Sequence, residues 1–283
     1  LTYSFLTVQH PYRSSFQPIP VYHNNLWTAP FFARVAAFSN TFWQMMQQLR
    51  PEKLSTYSSH SMTWRALVDI GFWSTNMVSE DSRIFWHCFC YYKGDYHVVP
   101  LYFPVSMDIC MDKGVTRTAA SLYRQQRRWG WGVENIPYLL FNTTKQWKTL
   151  SWTSKKRYIN HIWVQIYGFH SWATHALITS VLGWLPLILG GRFNATVLSN
   201  NLPEVTKFFM SLAMVGMVVS AIISVLVLPQ SSRPRFVNYG VMILQWACLP
   251  IVIIVFGAIP GLESQTRLMF GKYMGFLVTP KHR

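Results

Sequence analysis

The chain has 283 residues, of which 51% are hydrophobic and only 12% charged; an ordinary soluble domain carries about 25% charged residues, so much of this chain is expected to avoid water. Its 25 Lys and Arg outnumber 10 Asp and Glu to give a formal net charge of +15, which points to anionic rather than cationic partners. Four cysteines, Cys88, Cys90, Cys110 and Cys248, form no CxxC pair and no regular spacing, which sets aside a disulfide framework and leaves them as apolar filling in a reducing compartment.

The chain opens on LTYSFLTVQHPYRSSF, which reads as the inside of a structured domain with no initiator Met and no leader, so a preceding segment is expected. Segment 26–49 is apolar around most of its circumference, with Arg34 its one charge. Interrupted by Pro30 and rich in Trp, Phe and Met, it predicts a helix lying in a membrane interface, with a core helix as the alternative. Segment 79–94 predicts a helix capped by Ser79, with Glu80 and Asp81 in its first turn and Lys93-Gly94 closing it. YHVVPLY at 96–102 predicts a short edge strand containing Pro100, and 116–131 predicts an arginine-bearing helix. Strands alternating with helices make 1–152 an α/β domain.

A basic amphipathic interfacial segment at 153–172, opening on Lys155-Lys156-Arg157, leads into long uncharged runs. Transmembrane helices are expected at about 173–191, 206–228 and 237–260, each near the ~20 residues that cross a bilayer core. An interfacial tail at 263–283 follows. Basic flanks at 155–157, at Arg233 and Arg235, and in the tail would all face the cytoplasm. Three crossings cannot join two cytoplasmic ends, so one run is re-entrant or interfacial, or the tail lies outside.

The chemistry concentrates in two stretches. Glu80 and Asp81 stand at a strand-to-helix junction, where α/β domains place their sites; by themselves two acidic residues there do no more than complement the helix dipole. The stretch YRQQRRWGWG at 123–132 puts Gln125, Arg128 and Trp129 on one helical face and turns Arg124 and Arg127 elsewhere. A guanidinium forks onto phosphate oxygens, an amide meets sugar hydroxyls and an indole gives a flat apolar wall; an interfacial anchor is the plainer use of the same residues.

Gln125-Gln126-Arg127-Arg128-Trp129 resembles the Q-x-x-R-W signature of family 2 glycosyltransferases of the cellulose synthase kind. Ser79-Glu80-Asp81 is similar to that family's T-E-D, 276–281 (FLVTPK) to its F-x-V-T-x-K gating loop, and 58–72 to its acceptor-side stretch. The resemblance implies the C-terminal part of a GT-A-like, Rossmann-type domain followed by a helical transmembrane region. It implies that Asp81 is the general base, with Glu80 its neighbour in the motif. Arg128 would neutralise the diphosphate leaving group, Gln125 and Trp129 would hold the acceptor sugar, and Thr279 and Lys281 would cover the nucleotide. The family's D-x-D is absent here, so a divalent cation, Mg or Mn, would be held by residues upstream of Leu1 and the chain as given would be inactive alone. The implied activity is inverting transfer from a nucleotide-diphosphate sugar to a growing polysaccharide, or to a glycolipid acceptor. The implied setting is the cytoplasmic face of a multi-pass cell (inner) membrane protein, whose partners are donor, acceptor and bilayer and not nucleic acid. A transport component without transferase activity is the rival class.

Overall fold

The computed structural model describes residues 1–169, 181–191, 196–226, 236–275 and 278–281. A short helix, α1 (Thr2–Thr7), leads to strand β1 (Ser14–Tyr22), which is buried on both faces. β1 is the middle of a three-stranded mixed sheet in the order β2-β1-β3. β2 (Ser61–Met62) pairs with it antiparallel, and β3 (His97–Met107) pairs with it parallel. The sequence reading missed β1, and its composition explains why: Pro18 and Pro20 are residues that a central strand ordinarily excludes. The ladder accommodates them by shifting register. Gln17 pairs with Pro100 but Ile19 pairs with Pro104, so β3 bulges outward and Tyr102 takes φ 52°. The expected strand at 96–102 therefore continues to Met107, and Pro100 does lie on a sheet edge.

Segment 26–49 packs one face into the core, as the alternative reading has it. Pro30 begins rather than interrupts α2 (Phe31–Gln48), since a ring with no N–H costs nothing where the helix leaves its first N–H groups unpaired. Phe32, Val35 and Phe38 bury one face in a cluster with Tyr22 of β1, and the same cluster takes in Ala221, Met242, Trp246 and Val252 from the apolar half. A second cluster is built without that half. Helix α3 (Trp64–Asp69) and helix α4 (Glu80–Tyr91) place Leu67, Ile84, Phe85 and Phe89 against Tyr96. Cys88 and Cys90 fill space there, with burial pushing both thiols up to about 12. As predicted, Gly94 closes α4, with φ 85° and its N–H on the Phe89 carbonyl at 2.8 Å.

Helix α5 (Val115–Gly130) carries the arginines, and α6 (Asn135–Gln146) and α7 (Trp152–Val164) follow. α7 turns Tyr158 and His161 into the second cluster while Trp152, Ile159 and Trp163 stay exposed. The first part of the first apolar run, 173–180, lies outside the described residues, as do Arg233, Arg235, Phe276 and Leu277. Its described end is a 3-10 turn and the five-residue α8 (Leu185–Leu189), which stops at Gly190 with φ 59°. Among the described residues, two helices are long and apolar enough to cross a membrane: Val197–Ile223, within α9 (Val197–Leu226), and Gly240–Met269. The second is a chain of pieces: α10 (Phe236–Leu244), a 3-10 turn (Gln245–Cys248), α11 (Leu249–Ile253), a π-turn (Ile254–Ala258) and α12 (Ile259–Met269). Residues 263–269 thus continue this helix instead of opening a separate interfacial segment. Arg34 of α2 anchors it, its Nε donating to Gln245 Oε1 at 2.8 Å.

Candidate functional site

A cavity of about 340 Å³ opens where α2, the start of α4, the end of α5 and the 249–257 stretch meet. Glu80 and Asp81 reach it from the first turn of α4, and Arg128 and Trp129 from the last turn of α5. Val252, Ile253 and Phe256 close it from the side of the membrane-length helix. Ser39, Asn40, Trp43 and Gln44 of α2 form the remaining wall.

Asp81 is open to the cavity on one side and enclosed by protein on the others. Burial raises its carboxyl pKa above the ordinary carboxylate value, against the pull of Arg128 and of the backbone N–H groups of Ser82, Asp81 and Ser58. The Ser82 N–H donates to Asp81 Oδ1 at 2.8 Å. The Asp81 carbonyl is held by the Thr56 hydroxyl at 2.7 Å, which ties α4 to the loop carrying Ser58. Glu80 is half-buried, and its pKa is also raised, by burial and by the neighbouring Asp81 charge, while its own backbone N–H and Arg128 act the other way. Two carboxyls and a guanidinium thus share a confined space, an arrangement that makes a proton acceptor beside a positive charge.

Ser79 does not cap α4. Its hydroxyl donates instead to Glu134 Oε1 at 2.7 Å, and Glu134 Oε2 receives the Trp131 indole N–H at 3.1 Å. Arg83 donates to Asn135 Oδ1 at 2.7 Å and to the Glu134 carbonyl at 3.3 Å, and Asn135 donates to the Ser82 hydroxyl at 3.1 Å. These bonds lace the start of α4, which bears Asp81, to the turn that follows α5. Glu134 and Asn135 were missed as positioning residues. The available signal was a single carboxylate, Glu134, inside an otherwise basic stretch between Lys113 and Arg157.

The same end of α5 is fixed to α12 by its other face. Glu263 Oε1 accepts from Arg127 at 2.8 Å and from Arg267 at 2.7 Å, and its Oε2 accepts from Tyr123 at 2.7 Å. Ser264 donates to the Arg127 carbonyl at 2.7 Å. Gly130 lies so close to this helix that a Cβ on it would sit 3.0 Å from Gly261 Cα. Arg127 therefore points away from the cavity, as helical spacing predicted.

Not every expected residue converges. Gln125 is half-buried and does not line the cavity; its neighbour Gln126, 9% exposed, does. Gln126 stands three residues before Trp129 and so shares a helical face with it. Thr279 and Lys281 also lie elsewhere. The tail pairs with Met111, whose N–H donates to the Pro280 carbonyl at 3.3 Å, and Lys281 is exposed there. Asp112, just ahead of α5, accepts from the Lys113 N–H at 2.7 Å and the Ser121 hydroxyl at 2.9 Å. Among the described residues there is no cluster of three or more His, Cys, Asp or Glu side chains that would hold a metal ion.

Comparison with known protein families, with curated proteins and with solved structures finds no match to this chain.

Proposed function

We propose that the chain is the C-terminal part of an inverting, membrane-embedded glycosyltransferase that moves a sugar from a nucleotide-diphosphate donor to a hydroxyl of a growing glycan. The observation that carries the reading is the meeting of Asp81 with Arg128 and Trp129 on one cavity, from helices 47 residues apart in sequence by their numbers. The likeness of SED and QQRRW to the family 2 motifs gives each residue its role, including the GT-A-like domain around them and a cytoplasmic site on a multi-pass membrane protein.

In this reading the Asp81 carboxylate takes the proton of the acceptor hydroxyl as its oxygen attacks the anomeric carbon. The bond from that carbon to the diphosphate breaks, and its electron pair leaves with the diphosphate. A raised pKa makes Asp81 a stronger base than an exposed carboxylate, while the Arg128 charge beside it works toward the ionised form. Arg128 also offsets the charge that develops on the leaving group, most effectively where water is excluded. Trp129, 36% exposed, offers an indole face to the acceptor ring. A divalent cation held upstream of Leu1, as the resemblance implies, would add charge neutralisation at the diphosphate. The acceptor is a polysaccharide by resemblance, but the Val252, Ile253 and Phe256 wall favours a second reading in which it is borne on a lipid.

The test is Asp81→Asn in the full-length protein. Sugar transfer should fall by roughly 10²–10⁴-fold, the usual contribution of a positioned base, with nucleotide-sugar binding retained. Unchanged turnover would remove Asp81 from this role.

A further inference from the structure

One wall of the cavity is not used by the transfer step. Gln44 of α2 is only 3% exposed, lines the cavity, and its Oε1 has no hydrogen-bond partner among the described residues. A buried carbonyl left so is rare in a native interior and asks for a donor. On the same helical face stand Asn40, which donates to the Tyr22 hydroxyl at 2.9 Å, and Trp43, held edge-on by Tyr57 at 5.4 Å between ring centroids. An oxygen acceptor with the Glu80 and Asp81 carboxylates close by suits a neutral, hydroxyl-bearing group and disfavours a second phosphate.

The opposite wall is apolar and belongs to the helix Gly240–Met269, whose mean hydropathy reaches 2.4. Phe256 is fixed by stacking on Phe32 at 5.2 Å and 14° between planes. The helix widens into its π-turn, Ile254–Ala258, where it lines the cavity, a distortion that recurs at functional sites. A volume of about 340 Å³ is at the lower end for ligand sites, enough for one head group rather than a file of sugar rings.

We propose that the α2 side of the cavity binds the sugar head of a glycolipid, with Gln44 accepting a ring hydroxyl and the Val252, Ile253 and Phe256 wall guiding the lipid chain toward the bilayer. That this lipid is the acceptor rests on the transferase reading above; the binding itself does not.

The experiment places the full-length protein in phosphatidylcholine nanodiscs doped with a monoglucosyl diacylglycerol and counts retained glycolipid by native mass spectrometry. One glycolipid should be retained by the wild type. Gln44→Met, which keeps the volume and removes the carbonyl, should lower occupancy about tenfold. Ile253→Trp, which fills the apolar wall without touching α2, should lower it similarly, and thermal unfolding of both variants checks that they fold. Equal retention by wild type and Gln44→Met overturns the proposal. So does equal retention of diacylglycerol lacking the sugar, or complete displacement by a soluble disaccharide. Glycolipid retention together with turnover unaffected by Asp81→Asn would sink the transferase assignment and leave the subsite standing.

Discussion

Of the two helices long enough to cross a bilayer, Val197–Ile223 buries 11% of its most apolar stretch within the protein and Gly240–Met269 buries 33%, although the second is the more apolar, with mean hydropathy 2.4 against 1.9. Apolarity alone does not decide which helix meets protein. α9 presents Phe208, Leu212, Val215 and Val219 outward, and its Gly216 faces open space. Gly240–Met269 interrupts its apolar surface with Gln245, Gly257, Gly261 and Glu263. Each of these meets a neighbour or the cavity: Arg34 at Gln245, Gly130 at Gly261, Arg127 at Glu263. Small and polar residues let helix backbones approach and bond where lipid cannot supply a driving force. In this chain they mark the helix that shapes the candidate site.

The sharpest way to break that contrast is to hollow out the protein-facing helix. Trp246, 3% exposed, packs in the cluster that joins α2 to the apolar half; Trp246→Ala should destabilise by about 3–5 kcal/mol, measured as a shift in thermal unfolding in nanodiscs. Next in size is Gly130→Ala. Its new Cβ would meet Gly261 Cα at 3.0 Å and Ser264 Cβ at 3.2 Å, so α5 and α12 must separate. We expect a cost of about 1–3 kcal/mol and a loss of any turnover that depends on Arg128, while Gly216→Ala on α9 should leave both unchanged.

A smaller effect of opposite sign is expected at Asp81, the charge that faces the protein-side helix across the cavity. Its folded pKa is raised above the unfolded value, chiefly by burial. Well below the ordinary carboxylate range both states are protonated and the group contributes nothing. As pH rises from the unfolded value through the folded one, the native state loses stability relative to a neutral residue. Asp81→Asn should therefore unfold at a higher temperature than wild type at pH 7, with the gain vanishing in acid; a constant difference across pH would contradict this. The smallest effect belongs to α9. Leu212, 60% exposed, should change stability by less than about 0.5 kcal/mol when replaced by Ala, and a loss comparable with Trp246→Ala would erase the distinction between the two helices.

What could be read from sequence follows from how far each signal reaches. Asp81, Arg128 and Trp129 were legible as site residues through the resemblance of SED and QQRRW to known motifs, since local spacing alone allowed plainer uses, and the structure brings them to one cavity. Gln44 was hidden in an apolar helix, since nothing local tells a buried amide with a partner from one without. Glu134 was visible as an isolated acid, but its hold on Ser79 spans 55 residues and depends on tertiary packing. β1 was obscured by its own prolines, and its place in the sheet rests on a register shift that only the partner strand reveals. For the tail, resemblance gave Thr279 and Lys281 a site role, whereas their backbone lies against Met111.

The clasp between α5 and α12 joins residues 136 apart, Arg127 and Glu263. During synthesis at about 5–20 residues per second, that contact waits on the order of 10 s after α5 has left the ribosome. The helix bearing Arg128 and Trp129 thus stays unclasped until Glu263 has been made, and a nascent protein stalled before Glu263 would hold its guanidinium and indole without their mooring.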